Sequence, residues 1–241
     1  PRSNWLVGLD FGLLQLPPFD ANNKAIFAFN LSALFNDPEL YGLRIEVNGD
    51  KIPPLKGLQF EILYKKINDS IGQYHIELIL PDIMRYIELG AASLVLPEIV
   101  VDVYTNGDFK VDFGFPYNFD FKRSFSITVI ILGVPVLGSG GFYFGKLSGP
   151  TAPPQVPVTT KGTFNPVMVF GLGLQIGVGK YIVKGPLTAR FSLTIVGMIE
   201  GIIATFNPDN ALAEGGKNID KSNYFYIRGA LGIVGILEGV V

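Results

Sequence analysis

"LTARFSLTIVGMIEGII", Leu187 to Ile203, decides the fold. Its odd positions hold Ala189, Phe191, Leu193, Ile195, Gly197, Ile199, Gly201 and Ile203, while the opposite side begins Thr188, Arg190, Ser192, Thr194. An apolar period of two is the mark of a strand with one greasy face. Two neighbouring stretches share it. From Pro166 to Val178 the even positions are Met168, Phe170, Leu172, Leu174, Ile176 and Val178, set against Gly171, Gly173, Gln175 and Gly177. From Phe225 the odd positions Ile227, Leu231, Ile233 and Leu237 are again apolar. A strand of about 18 residues at roughly 3.3 Å each is about 60 Å long, whereas ordinary strands have about 5–6 residues.

Part of this stretch is duplicated. "IVGMIEGII" at Ile195–Ile203 returns as "IVGILEGVV" at Ile233–Val241, 38 positions later, and the likeness extends over 190–203 and 228–241. Each copy carries one Arg and one Glu: Arg190 and Glu200 in the first, Arg228 and Glu238 in the second. A tight reversal at "KGP" (Lys184–Pro186) sets Lys184 near Leu187, so that paired numbers sum to 371. For the next hairpin a sum of 428 puts Arg190 opposite Glu238 and Glu200 opposite Arg228. In that register Gly197 faces Leu231, Gly201 faces Ile227, Leu193 faces Gly235, and Ile195 faces Ile233 at the centre. Opposite charges and complementary sizes are what cross-strand pairs favour, each contributing roughly 0.2–1 kcal/mol. They fix register, because a one-residue slip turns every side chain over.

Working outward, "LQFEILYKKI" and "QYHIELIL" alternate on either side of "NDSIG" and predict an antiparallel hairpin with one solvated face. "SLVLPEIVVDVYTNGDFKVDFGF" predicts two strands around an Asn106–Gly107 turn. "LPDIMRYIELG" gives the one helix signal: Pro81 early, Ile83, Tyr86 and Ile87 on a face, Gly90 closing. Ser124–Gly145 and Gly162–Gly179 are long uncharged runs, but their glycines and period of two favour strands over membrane-spanning helices. The expected fold is mainly β: a long-stranded antiparallel sheet or meander (open curved sheet, sandwich or barrel-like) with one short helix near 81–89. The expected organisation is a β-rich part at 1–147, a Pro-rich linker at 148–162, and the repeat-bearing meander at 163–241.

The composition narrows function without naming it. The chain has 241 residues, of which 48% are hydrophobic and 17% charged, with a net charge of −2. There is no basic footprint for nucleic acid. With 0 cysteines there is neither a disulfide nor a thiolate metal site,. "GVGKY" near Lys180 resembles a phosphate loop but lacks its glycine spacing, and a strand rather than a helix follows. "LGSGGF" lacks the spacing of a nucleophile elbow. His75 is the 1 histidine, and it lies in an alternating strand. Asp209, Glu214 and Asp220 share a polar loop and could offer Ca²⁺ oxygen ligands, though in no EF-hand spacing. Asp102, Asp108, Asp112 and Asp120 could form a paired-carboxylate hydrolase site, but solvent-face hairpin positions explain them as well. Asn30 and Asn68 begin glycosylation acceptor triplets, a pattern short enough to occur by chance.

The expectation is a non-enzymatic β-sheet module, without cofactor or metal. It is read as a piece of a larger envelope or secreted protein, since the chain opens without Met and stops inside the second repeat copy. Its apolar face serves assembly with the rest of that polypeptide or with like modules, or holds a lipid-like ligand. The residues assigned to that face are Met168, Phe170, Leu172, Leu174, Ile176, Phe191, Leu193, Ile195, Ile199, Leu231 and Ile233, with Arg190, Glu238, Glu200 and Arg228 as cross-strand markers. The alternatives are a fragment of a transmembrane β-barrel and, more distantly, a carboxylate hydrolase. A face this large does not stay wet, so something is expected to cover it.

Overall fold

The structure is a computed structural model that describes residues 7–19, 25–37, 39–48, 56–184, 187–208 and 223–240. The turn at 185–186, the polar loop at 209–222 with Asp209, Glu214 and Asp220, and the "NGD" turn beyond Asn48 lie outside the described residues. Among the described residues, fourteen strands make one antiparallel sheet. They are β1 (Val7–Phe19), β2 (Ala25–Asp37), β3 (Leu40–Asn48), β4 (Gln59–Lys66), β5 (Gly72–Ile79), β6 (Tyr86–Leu89) and β7 (Ala92–Val95). There follow β8 (Ile99–Tyr104), β9 (Phe109–Phe113), β10 (Phe125–Ile131), β11 (Val134–Leu147), β12 (Gly162–Lys184), β13 (Leu187–Pro208) and β14 (Asn223–Val240). The main path runs β1-β2-β3-β4-β5-β8-β9-β11-β12-β13-β14, and β10-β7-β6 branch from β11. The sheet is open: β14 pairs with β13, and β1 with β2.

The long strands take the registers that their side chains favour. From Lys184↔Leu187 to Val167↔Ala204, paired positions on β12 and β13 sum to 371; one irregularity follows between Phe164 and Val167. On β13 and β14 the sum is 428 from Thr188↔Val240 to Thr205↔Asn223 without a break. Both uncharged runs are strands, and among the described residues no helix is long and apolar enough to cross a membrane.

The helix is shorter than its sequence signal. Asp82–Arg85 form one turn, α1, and Tyr86–Leu89 then continue as β6. Gly90, with φ +67°, starts a tight turn that folds β7 back, pairing Tyr86 with Val95 and Leu89 with Ala92. The gain of a ladder with β7, itself held by β10, outweighs the weak preference of a short isolated helix. Arg85 fixes the junction by donating to the Leu96 carbonyl and to Glu98, each at 3.2 Å.

β11 is the strand on which the sheet forks. One edge pairs with β12 from Val136 to Leu147. The other is shared: Val134–Gly140 pair with β10, and Phe142–Lys146 with β9. Gly141 sits at the split, and a Cβ there would lie 1.8 Å from the Gly114 carbonyl oxygen. Only a residue without a side chain lets the departing backbone come so close.

The β10–β11 turn is built less well. Leu132 and Gly133 have φ of +51° and +75°, the geometry of a primed two-residue hairpin turn,. Leu132 is 97% exposed, so no packing offsets the left-handed strain. Leu132→Asn is therefore expected to raise stability by about 1 kcal/mol, read as a shift in the midpoint of urea unfolding.

The compact core lies on the side of the sheet away from the greasy positions. Phe115, Tyr143, Leu147, Val156, Val167, Val169, Ile202 and Ala204 form it, with Phe164, Met198, Tyr224 and Tyr226 packed around them. Phe115 comes from the 114–124 segment and Val156 from the proline-rich 148–162 segment. The latter is thus a strap lying on the sheet. Its anchor is Asp108, 5% exposed, which accepts hydrogen bonds from Ser148 Oγ (2.7 Å), Thr151 Oγ1 (2.5 Å) and Asn106 Nδ2 (2.7 Å). At the far end Tyr224 donates to the Gln155 carbonyl at 2.9 Å. Removing a buried acceptor strands its donors. Asp108→Ala is expected to cost about 2–3 kcal/mol and to open the strap to limited proteolysis between Ser148 and Lys161.

Candidate functional site

Among the described residues, nothing covers the apolar side of β12, β13 and β14. Every greasy position singled out in the sequence lies on one face: Met168, Phe170, Leu172, Leu174 and Ile176 on β12, Phe191, Leu193, Ile195 and Ile199 on β13, Leu231 and Ile233 on β14. All of these except the half-buried Phe170 are exposed, from 38% at Phe191 to 77% at Leu231. The registers stack them in rows. Gly140, Leu174, Gly197 and Leu231 stand side by side, as do Phe142, Leu172, Ile199 and Gly229. Each glycine leaves a notch beside a large neighbour. One groove of about 510 Å³ is lined by Leu172, Leu174, Gly197, Ile199, Gly229 and Leu231.

β3, β4, β5, β8 and β9 lie beside this face in the same sheet and extend it. Following the registers, one row reads Leu43, Ile62, Ile76, Val101, Val111, Phe144, Phe170, Gly201 and Ile227 across nine strands. At about 4.8 Å between strands the row is roughly 40 Å wide. A parallel row begins Ile45, Phe60, Leu78, Ile99, Phe113 and joins Phe142. At one margin Tyr41 stacks on Tyr64, with ring centroids 4.5 Å apart, and Tyr74 packs tilted against Tyr64 at 5.1 Å. At the fork a second groove of about 510 Å³ opens between Pro97, Phe113, Phe125, Phe142, Leu174 and Ile176. The N-terminal contribution was legible in the period of two around "NDSIG": Phe60, Ile62 and Tyr64 on one arm, Tyr74, Ile76 and Leu78 on the other. What the sequence did not reveal is that both arms point the same way as β12.

The opposite face carries most of the charges, while Lys146 and Lys180 stand on the apolar side in register with Met168 and Phe191. Asp112, Tyr143, Gly171, Glu200 and Arg228 form one row from β9 to β14. Gly171 has no side chain, so the Tyr143 ring lies across it and its hydroxyl donates to Glu200 Oε1 at 2.9 Å. Glu200 also accepts from Arg228 Nε at 2.6 Å. Arg190 and Glu238 are partners in register nearer the other end of the hairpin. Tyr117 donates to Asp112 Oδ2 at 2.7 Å, and Lys110 Nζ donates to the Tyr117 oxygen at 2.6 Å. Burial, then the neighbouring carboxylates, pushes both tyrosine hydroxyls above the ordinary tyrosine range, so they stay protonated donors,. Lys110 Nζ stands 4.4 Å from the centre of the Tyr143 ring,. A cavity of about 170 Å³ separates this row from the strap at Pro153 and Gln155. The row joins strands, strap and core.

The candidate catalytic groups are engaged in structural bonds. His75 Nδ1 is 2.7 Å from Asp102 Oδ1, and Asp102 also accepts from Gln73. Asp108 holds the strap. Asp112 holds Tyr117 and the Phe115 N–H, and Asp120 accepts from the Lys122 N–H. Each of the four aspartates thus serves a different partner. Among the described residues no three His, Cys, Asp or Glu groups gather as a metal site. Asn68 caps its own turn, accepting from the N–H groups of Ser70 and Ile71 at 2.9 Å. No family model, curated protein or solved structure matches the chain significantly.

Proposed function

We propose that the chain is a non-enzymatic β-sheet module of a larger envelope or secreted protein, and that its apolar face holds the acyl chains of a lipid-like ligand. One observation carries this: an apolar row crosses nine strands without a charged residue, from Leu43 to Ile227, with Leu43, Phe144 and Ile227 exposed and Ile62, Ile76, Val101, Val111 and Phe170 half-buried. Monomeric soluble proteins rarely leave more than a few hundred Å² of contiguous apolar surface open. Water bound over such a face is released by any hydrocarbon laid on it, at about 0.8 kcal/mol per buried CH₂. The glycine notches at Gly197 and Gly229 give this surface grooves, and grooves accommodate narrow flexible chains better than a flat partner does. The charged row and the compact core occupy the other face, so hydrocarbon is held on one side of the sheet only.

The test is direct. The chain is purified, extracted into organic solvent and analysed by mass spectrometry, and the delipidated protein is titrated with a fluorescent long-chain fatty acid. Co-purifying lipid and saturable binding at the level of one or a few chains are expected. Binding no stronger than that of a variant with glutamates on the apolar face would sink the proposal.

A further inference from the structure

We infer that the outer edge of β14, which pairs with no strand among the described residues, is a docking site for β14 of a second copy of this chain, joining two sheets into one. The outer strands of an open sheet invite pairing, and proteins normally blunt them with short length, proline, lysine or bulges. β6 is 4 residues long. β1 carries Pro17 and Pro18 and two register shifts. β14 has none of these protections: its 18 residues contain no proline and no lysine, and its ladder to β13 is unbroken.

The duplication then says how a partner fits. β13 pairs with β14 at a sum of 428, and the second repeat copy reproduces the first 38 positions later. A strand with the markers of β13 that approaches β14 from the open side finds the same complementarity, and β14 of another copy is such a strand. The corresponding register sums to 466. It sets Arg228 against Glu238 of the second copy and Glu238 against its Arg228. On the apolar side Ile227 meets Gly239, Gly229 meets Leu237, Leu231 meets Gly235, and Ile233 meets itself. Residues of equal parity point the same way, so an even sum is the kind that a two-fold axis permits. The axis stands normal to the sheet at Ile233, which keeps both apolar faces on one side. Arg228 is bonded to Glu200 yet its side chain is 61% exposed, leaving its outer side open. The charged row becomes Glu200, Arg228, Glu238 and Arg190 in alternating sign across the junction.

The chain has 0 cysteines, so single-cysteine variants of the full chain report the register. Residues directly opposite in an antiparallel pair fall within disulfide reach, whereas a four-residue offset of about 13 Å does not. Under copper–phenanthroline oxidation in a mild non-ionic detergent, Ile233→Cys is expected to form a covalent dimer. Leu231→Cys and Gly235→Cys are each expected to remain monomeric alone and to cross-link when mixed. The unmodified chain is expected to show twice its 26.2 kDa protein mass by light scattering. Failure of Ile233→Cys to cross-link, equal cross-linking at all three positions, or a monomeric mass for the unmodified chain overturns the inference.

Discussion

Replacing Leu172 and Ile195 together by glutamate lowers the affinity for a long-chain fatty acid by at least about a hundredfold, the largest effect expected on this molecule. The two residues lie on neighbouring strands of the apolar face, 43% and 46% exposed. Each glutamate removes apolar contact from a bound chain and forces it either to desolvate a carboxylate or to keep away. An unpaired polar group brought under hydrocarbon costs about 2 kcal/mol or more, and each 1.4 kcal/mol is about tenfold in affinity. The unfolding midpoint should hardly move, because exposed positions away from caps and networks change stability by only about 0.5 kcal/mol. Equilibrium titration with the fluorescent fatty acid measures the first quantity and urea unfolding the second. Arg44→Ala is the control: Arg44 lies on the charged face, bonded to Glu61, and its loss should leave the affinity unchanged. Unaltered binding by the double glutamate variant would remove the apolar face from consideration.

The second large effect concerns folding. Gly171→Ala is expected to destabilise the chain by about 3 kcal/mol, a fall in Tm of roughly 6–12 °C for a chain of this size. A Cβ on Gly171 would stand 2.2 Å from Tyr143 Cε1 and 2.8 Å from Phe115 Cε2. Neither ring has room to retreat. Tyr143 is 8% exposed and packs edge-on against Phe115 with centroids 4.8 Å apart. If Tyr143 tilts away, its bond to Glu200 goes with it. Tyr143→Phe keeps the ring and loses only that bond, so about 1.5 kcal/mol is expected there. Combining Gly171→Ala with Tyr143→Ala should cost less than the two single changes added, since the methyl then fills vacated space. Urea midpoints for the four proteins make the comparison. A Gly171→Ala midpoint close to that of the parent chain would show that Tyr143 does not lie across the glycine.

Where strands are neighbours in sequence, their own side chains specify the fold closely. Arg190, Glu200, Arg228 and Glu238 mark both ends of one hairpin, glycines alternate with bulky partners between them, and a single register satisfies all. The hairpin around "NDSIG" is legible for the same reason. The fork is not. Gly138, Gly140, Gly141 and Gly145 erase the alternation that would show which side of β11 faces which way, and β9 reaches β11 only after β10 has intervened. The row from Asp112 to Arg228 depends on that non-local pairing, so Tyr143 and Glu200 could not be matched from the sequence. The helix signal at 81–89 misled because Tyr86 and Ile87 suit a strand as well as a helical face, and only the partner β7 decides between them. Something was expected to cover the greasy face; β3, β4, β5, β8 and β9 instead turn their apolar residues the same way as β12 and widen the surface.

The fork also sets an order of assembly. β10 and β11 meet through a two-residue turn, and β12, β13 and β14 each pair with a neighbour along the chain, so these ladders can close on the microsecond scale of about 1–10 μs for hairpins. The β5–β8 and β9–β11 ladders must first enclose the excursions that carry α1, β6 and β7 in one case and β10 in the other. Loop-closure entropy opposes both steps until their contacts have formed. The C-terminal sheet and the N-terminal meander should therefore nucleate separately and knit together late, with Gly141 at the seam.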